Sequence, residues 1–134
     1  MEDLAGGAFQ EVIDDTIDPK KVKRVILCSG KFYYDLLEER ENRGDTTTAI
    51  IRLEQLYPLR QSAITEITKK YKHLEAFVWA QEEPANSGAW TYLLWQFPYK
   101  LKLASPPASA APAPGSYKIA AKRHAAAIEL AFKS

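Results

Sequence analysis

The sequence predicts an α/β chain folded as a three-layer α/β/α sandwich around a mainly parallel sheet. Three observations lead there. Apolar runs of strand length alternate with stretches of helix length, four times in succession. The clearest runs, Arg24–Cys28 and Ala76–Ala80, are almost continuously apolar, as strands covered on both faces must be. Successive strand–helix units connect through right-handed crossovers, which makes the strands parallel and sends helices to both faces.

Residues 1–20 read as an acidic lead-in, carrying Glu2, Asp3, Glu11, Asp14, Asp15 and Asp18 and ending at Asp18-Pro19. Its apolar clusters, Phe9 and Val12-Ile13, mark it as a strap laid across a neighbouring surface. Residues 21–134 form a single α/β domain. Arg24–Cys28 is a buried strand closed by Ser29-Gly30. Lys31–Asn42 follows with Phe32 and Leu36 at helical spacing and Tyr33 and Leu37 beside them; Ser29 is the expected N-cap and Gly44 the stop. Thr47–Leu53 is the second strand. Pro58 opens a helix with Leu59, Ala63, Ile64 and Ile67 inward and Lys69, Lys70 and Lys72 at the end its dipole favours. Ala76–Ala80 is the third strand. Gly88–Phe97 is a helix whose Trp90, Leu93, Leu94 and Phe97 form an apolar stripe, ended by Pro98. Lys100–Ala104 supplies a fourth strand. The four prolines of Ser105–Gly115 forbid a regular helix and make it an extended crossing loop. Ser116 caps the last helix, Tyr117–Phe132, with Ala120, Ala121, His124, Ile128 and Ala131 along one stripe.

Composition narrows the function classes. The 134 residues carry 18 basic and 17 acidic side chains, a net +1, without the basic excess of a nucleic-acid or anionic-membrane binder. The longest apolar runs, Val25–Cys28 and Ala49–Ile51, fall far short of the roughly 20 residues of a membrane span. Residues 1–18 have neither a secretory-signal nor a transit-peptide layout. One cysteine rules out an internal disulfide and a cysteine-based zinc site, and His73 and His124 lack metal-ligand spacing. Neither nucleic acid nor membrane is an expected partner, no metal is expected, and the chain reads as reduced and intracellular.

Two polar clusters stand at strand ends. Ser29, Gly30 and Lys31 occupy the strand-to-helix turn where an open α/β sheet binds anions, but one glycine is not a dinucleotide or phosphate loop. They read as a tight capped turn or as an anion contact. Gln81, Glu82 and Glu83 close the third strand, with adjacent carboxylates aimed apart on extended backbone. They read as salt-bridged structural or interface groups, or as an acid–base pair. Cys28 lies in an apolar run and reads as core. No Ser–His–Asp order and no Gly-x-Ser-x-Gly elbow is present, so no catalytic residues are assigned.

Three segments together carry a family resemblance: Cys-Ser-Gly-Lys-Phe-Tyr-Tyr-Asp-Leu (28–36), Ile-Arg-Leu-Glu-Gln-Leu-Tyr-Pro-Leu (51–59) and Trp-Ala-Gln-Glu-Glu-Pro-Ala-Asn-Ser-Gly-Ala-Trp (79–90). With Phe9–Asp15 and the closing Ala131-Phe132, the chain resembles the C-terminal domain of the thiamine diphosphate-dependent decarboxylating component of the 2-oxoglutarate dehydrogenase complex. The resemblance implies a transketolase C-terminal-like fold that packs at a homodimer interface, in a parent subunit that works in the tricarboxylic acid cycle. That parent uses thiamine diphosphate and magnesium held by its other domains, and passes a succinyl group to a dihydrolipoyl succinyltransferase. It implies a bacterial cytoplasmic or mitochondrial-matrix setting, and an isolated chain without catalysis. Asn86 joins Gln81, Glu82 and Glu83 as a structural or interface polar group of the third segment. Some actinobacterial members bind acetyl-CoA at this domain. Gln55 matches a position of that site, whereas Arg60 is a displaced substitute for the paired arginines there. An acyl-CoA or other anion held by Ser29, Gly30, Lys31, Gln55 and Arg60 is therefore the alternative reading. The family's Tyr, first Gly, Arg and Thr before the last helix are replaced by Leu103, Ser105, Pro106 and Pro114, and its early helix His by Ala120. Trp79, Trp90 and the Phe9 strap are expected to leave apolar surface that a longer subunit covers.

Overall fold

A computed structural model describes residues 17–53, 61–83, 89–106 and 117–133. Four strands, β1 (Arg24–Cys28), β2 (Thr48–Arg52), β3 (Ala76–Ala80) and β4 (Leu101–Ala104), form one sheet. Its order is β2-β1-β3-β4 and every pairing is parallel. The register sets Ile26 between Ile50 and Val78, so apolar residues line up across the sheet in rows. The expected α/β/α sandwich with a parallel sheet is what the chain builds.

Four helices cover the sheet: α1 (Phe32–Arg43), α2 (Gln61–Lys70), α3 (Trp90–Gln96) and α4 (Tyr117–Lys133). Strand side chains alternate between faces. Val25, Leu27, Ala49, Ile51, Phe77 and Trp79 meet Ile64 and Ile67 of α2 and Leu93 of α3. Ile26, Cys28, Ile50, Val78 and Ala80 meet Phe32, Tyr33 and Leu36 of α1 and Ala127, Ala131 and Phe132 around α4. The two-and-two division follows from strand order. The chain steps from β1 outward to β2, then reverses past β1 to β3 and on to β4. Reversing direction while keeping right-handed crossovers requires changing face. The gap where direction reverses, between the carboxyl ends of β1 and β3, is the topological switch point of the sheet.

Several boundaries differ from the sequence reading, each for a physical reason. Gly30 adopts φ +65 and Lys31 takes the N-cap position of α1, with no side-chain cap bond, so Ser29 is not the cap. Gly44 does stop that helix: at φ +63 its N–H donates to the carbonyls of Arg40 and Glu41. α3 begins at Trp90 and ends at Gln96, and Phe97 is already extended ahead of Pro98. Leu93 and the capping Phe97 are buried, whereas Leu94 lies off the stripe and is 53% exposed. Of the lead-in, Ile17 is buried and Pro19–Lys21 make one 3₁₀ turn, with Asp18 accepting from Lys20 N–H at 3.0 Å. Residues 1–16, the opening of α2 at Pro58, and 107–116 of the Pro-rich loop lie outside the described residues.

Two polar ties fasten the last helix. Arg24 at the start of β1 donates to the Phe132 carbonyl at 2.7 Å, bridging positions at opposite ends of the chain. Arg43, at the end of α1, pairs with Glu129 of α4 and lies 5.2 Å from the Phe132 ring centroid.

Candidate functional site

The strand order brings the two expected polar clusters together. β1 and β3 are neighbours, so Ser29-Gly30-Lys31 and Gln81-Glu82-Glu83 leave the sheet side by side at the switch point. Gly30 permits a sharp turn through its positive φ, carrying the chain into α1 on one face. The helix that follows β3, α3, packs on the other face. A crevice between two such diverging loops is where open α/β sheets bind ligands.

Its banks are unequal. Gly30 and Lys31 are exposed, and Ser29 is half-buried. Gln81 is buried and structural: its Oε1 accepts the Trp79 indole N–H at 2.8 Å, and its amide donates to the Glu83 carbonyl at 3.0 Å. Its backbone N–H donates to Ala104, extending the β3–β4 ladder by one residue. Glu82 and Glu83 are exposed. Glu82 points to His124 of α4, Oε1 lying 3.6 Å from Nδ1, while Nε2 of the same ring lies 3.1 Å from Asp35 Oδ2 in α1. Phe32 meets the ring edge-on at 5.1 Å. The His124 brace thus ties three elements at the carboxyl edge. Reading the sequence gave His124 a place on a helical stripe and missed this gathering, because residues 35, 82 and 124 meet only through the sheet order.

Cys28, two residues from Gly30, faces the α1–α4 core. Its Sγ approaches the Ile51 carbonyl at 3.7 Å, and burial pushes the thiol up to about 12, with Arg52 a smaller opposing influence. A neutral, buried thiol is not a nucleophile. Arg52, level with Cys28 on β2, lies over the rings of Tyr33 and Tyr34, 5.4 and 5.9 Å from their centroids. Among the described residues no set of three His, Cys, Asp or Glu side chains gathers as a metal site. Gln55, Arg60 and Asn86 lie outside the described residues.

The exposed apolar surface is not where the sequence reading put it. Trp79 is 2% exposed, and Trp90 packs against the core. Exposure falls instead on Trp95, at 82%, with Leu94 and Tyr99. Of the expected α3 stripe, Trp90, Leu93 and Phe97 do face the core, and Leu94 alone does not. No helix among the described residues is long and apolar enough to cross a membrane.

Comparison with known proteins gives a consistent result. The family model described as 2-oxoglutarate dehydrogenase C-terminal matches residues 1–132. A 2-oxoglutarate dehydrogenase E1 component from Haemophilus influenzae is 44% identical over 96% of this chain, and one from Cupriavidus necator is 44% identical over 98%. A 2-oxoadipate dehydrogenase complex component E1 from Rattus norvegicus is 41% identical over the whole chain. The chain spans 15% of the length of each of these relatives. Among solved structures, a split-gene transketolase, an inactive β4 tetramer, aligns over 95% of this chain and 42% of its own. Its TM-score is 0.57 and its sequence identity 16%, a likeness of fold.

Proposed function

The chain belongs to the 2-oxoglutarate dehydrogenase C-terminal family, and from that membership we propose that it is the structural end domain of a decarboxylating 2-oxo-acid dehydrogenase subunit. The parent subunit decarboxylates 2-oxoglutarate and hands the succinyl group to lipoamide on a dihydrolipoyl succinyltransferase partner. This chain buttresses the preceding domains, contributes to the homodimer interface and is inert alone. The observation that carries the reading is a match along essentially the full chain to relatives more than six times longer.

Inertness is supported by how the polar groups are employed. Gln81 satisfies an indole, the His124 ring is braced between carboxylates, and the Cys28 thiol is buried. Thiamine diphosphate and magnesium do not fit the described residues. The β1 turn carries one glycine, and among the described residues no group of His, Cys, Asp and Glu side chains is arranged to hold a metal ion. Both cofactors are assigned to the rest of the parent subunit, in the cytoplasm of a bacterium or in the mitochondrial matrix.

The test is a 2-oxoacid-dependent reduction of ferricyanide. The parent subunit with thiamine diphosphate and magnesium is expected to oxidise 2-oxoglutarate in preference to 2-oxoadipate, and the 134-residue chain to show no turnover. Turnover by the chain alone would refute its structural role.

A second reading, an acyl-CoA or other anion at the switch point, has one favouring observation: the open, positive-φ turn at Gly30 beside exposed Lys31. Against it, the opposite bank presents Glu82 and Glu83. Calorimetric titration with acetyl-CoA is expected to give no heat at millimolar ligand, and saturable heat would reinstate it.

A further inference from the structure

The near-zero net charge conceals a segregation that only the fold reveals. Exposed lysines from three separate stretches meet at the amino edge of the sheet: Lys20, Lys21 and Lys23 before β1, Lys69 in the last turn of α2 with Lys72 just after it, and Lys100 before β4. Direct contacts hold these stretches together. The Lys23 carbonyl accepts from the N–H groups of Glu75, at 2.7 Å, and Ala76, at 3.2 Å. Tyr99, beside Lys100, stacks on Phe77 of β3 at 5.6 Å. The acidic residues nearby do little to offset the lysines. Asp18 caps the 3₁₀ turn, Asp45 binds Thr47 and Thr48, and Glu75 remains. Helix dipoles account for lysines at the end of α2, but not for those ahead of β1.

The segment joined to this edge has the opposite character. Residues 1–16 contain Glu2, Asp3, Glu11, Asp14 and Asp15, no Lys or Arg, and apolar groups at Phe9 and Val12-Ile13. We propose that this acidic segment docks in cis along the basic amino edge, its carboxylates against the lysines and its apolar residues against Tyr99, which is 45% exposed. Reach is no obstacle. The edge from β1 to β4 spans two strand spacings, roughly 10 Å, and 16 extended residues reach roughly 50 Å. Tethering through the buried Ile17 favours the cis segment over a second copy, because a short tether holds it at millimolar effective concentration. The inference concerns this chain alone and stands or falls independently of the parent subunit's activity.

Limited proteolysis of the 134-residue chain with a glutamate-specific protease tests it, with the rate of cutting after Glu11 referred to that of a free peptide of residues 1–16. At ~0.01 M salt, where the screening length is ~30 Å, cutting is expected to be at least about tenfold slower than in the peptide; at ~1 M salt, where it is ~3 Å, protection is lost. Lys21→Glu/Lys72→Glu/Lys100→Glu abolishes protection at low salt, and adding Asp14→Lys/Asp15→Lys restores it. Asp14→Lys/Asp15→Lys alone, which alters no described residue, abolishes it without a risk to the fold. Peptide-like cutting of the wild-type chain at low salt overturns the proposal. So does protection indifferent to charge reversal, and so does protection that rises with chain concentration, which would make the occupant a second copy's segment.

Discussion

Single residues carry distinct and measurable loads. Gly44 sits in the left-handed region with open space where a Cβ would go, so the penalty of a side chain is backbone strain and not collision. Gly44→Ala should lower stability in urea denaturation by about 1–2 kcal/mol, with Asn, which tolerates that conformation, costing less. Gln81→Leu leaves the Trp79 indole N–H buried without its acceptor and should cost about 1–3 kcal/mol, with a shift in tryptophan emission. Cys28 should resist a thiol reagent at pH 8 in the native chain and react fully once unfolded. Burial raises it above the ordinary thiol value of 9.0, so its contribution is intact below pH 9 and is lost as pH climbs toward 12. The burial of Cys28 was legible from its apolar neighbours. The partner of Trp79 was not, since an i to i+2 contact beyond a strand end depends on how the chain leaves the sheet.

Among elements, the junction of α1 and β2 is held by polar groups. Burial alone would push Asp45 up, but hydrogen bonds from the Thr48 hydroxyl and from the backbone and hydroxyl of Thr47, with Arg24 nearby, hold it below its ordinary value. A depressed carboxylate stabilises above its unfolded value and loses that contribution as pH falls through the folded one. Stability should therefore drop below pH 3.8 in the wild type and vary less there in Asp45→Asn, as followed by circular dichroism. The docking of α4 rests on apolar packing more than on its ion pairs. Phe132→Ala should cost about 3–5 kcal/mol, whereas Arg43→Ala, which removes a half-exposed pair with Glu129, should cost less than about 1 kcal/mol in the same urea series. Strands and helices were readable where periodicity was strong, and β1 and β3 fell on the expected residues. In α3 the expected stripe held at Trp90, Leu93 and Phe97 and failed at Leu94, because Leu93, Leu94 and Trp95 in succession leave two apolar faces and only the sheet decides between them.

For the whole molecule, topology turned scattered residues into sites. The alternation of strands and helices made the sandwich legible, yet the strand order, and with it the adjacency of the β1 and β3 ends and the meeting of His124 with Asp35, is not written in any local pattern. The same holds for Trp95. Its large exposure predicts that Trp95→Lys changes stability by less than about 0.5 kcal/mol. The substitution should also reduce self-association of the isolated chain in sedimentation velocity, since the exposed ring suits a surface covered in a longer subunit. The placement of α4 has a further consequence. One entire face of the sheet is roofed by α1 from the beginning of the domain and by α4 from its very end. During synthesis, Val78, Ala80 and the outer half of that face must wait, wetted, until the final turn of helix clears the ribosome. A nascent chain of this design leaves that face open until α4 has emerged, and in that interval it is a natural client for chaperones.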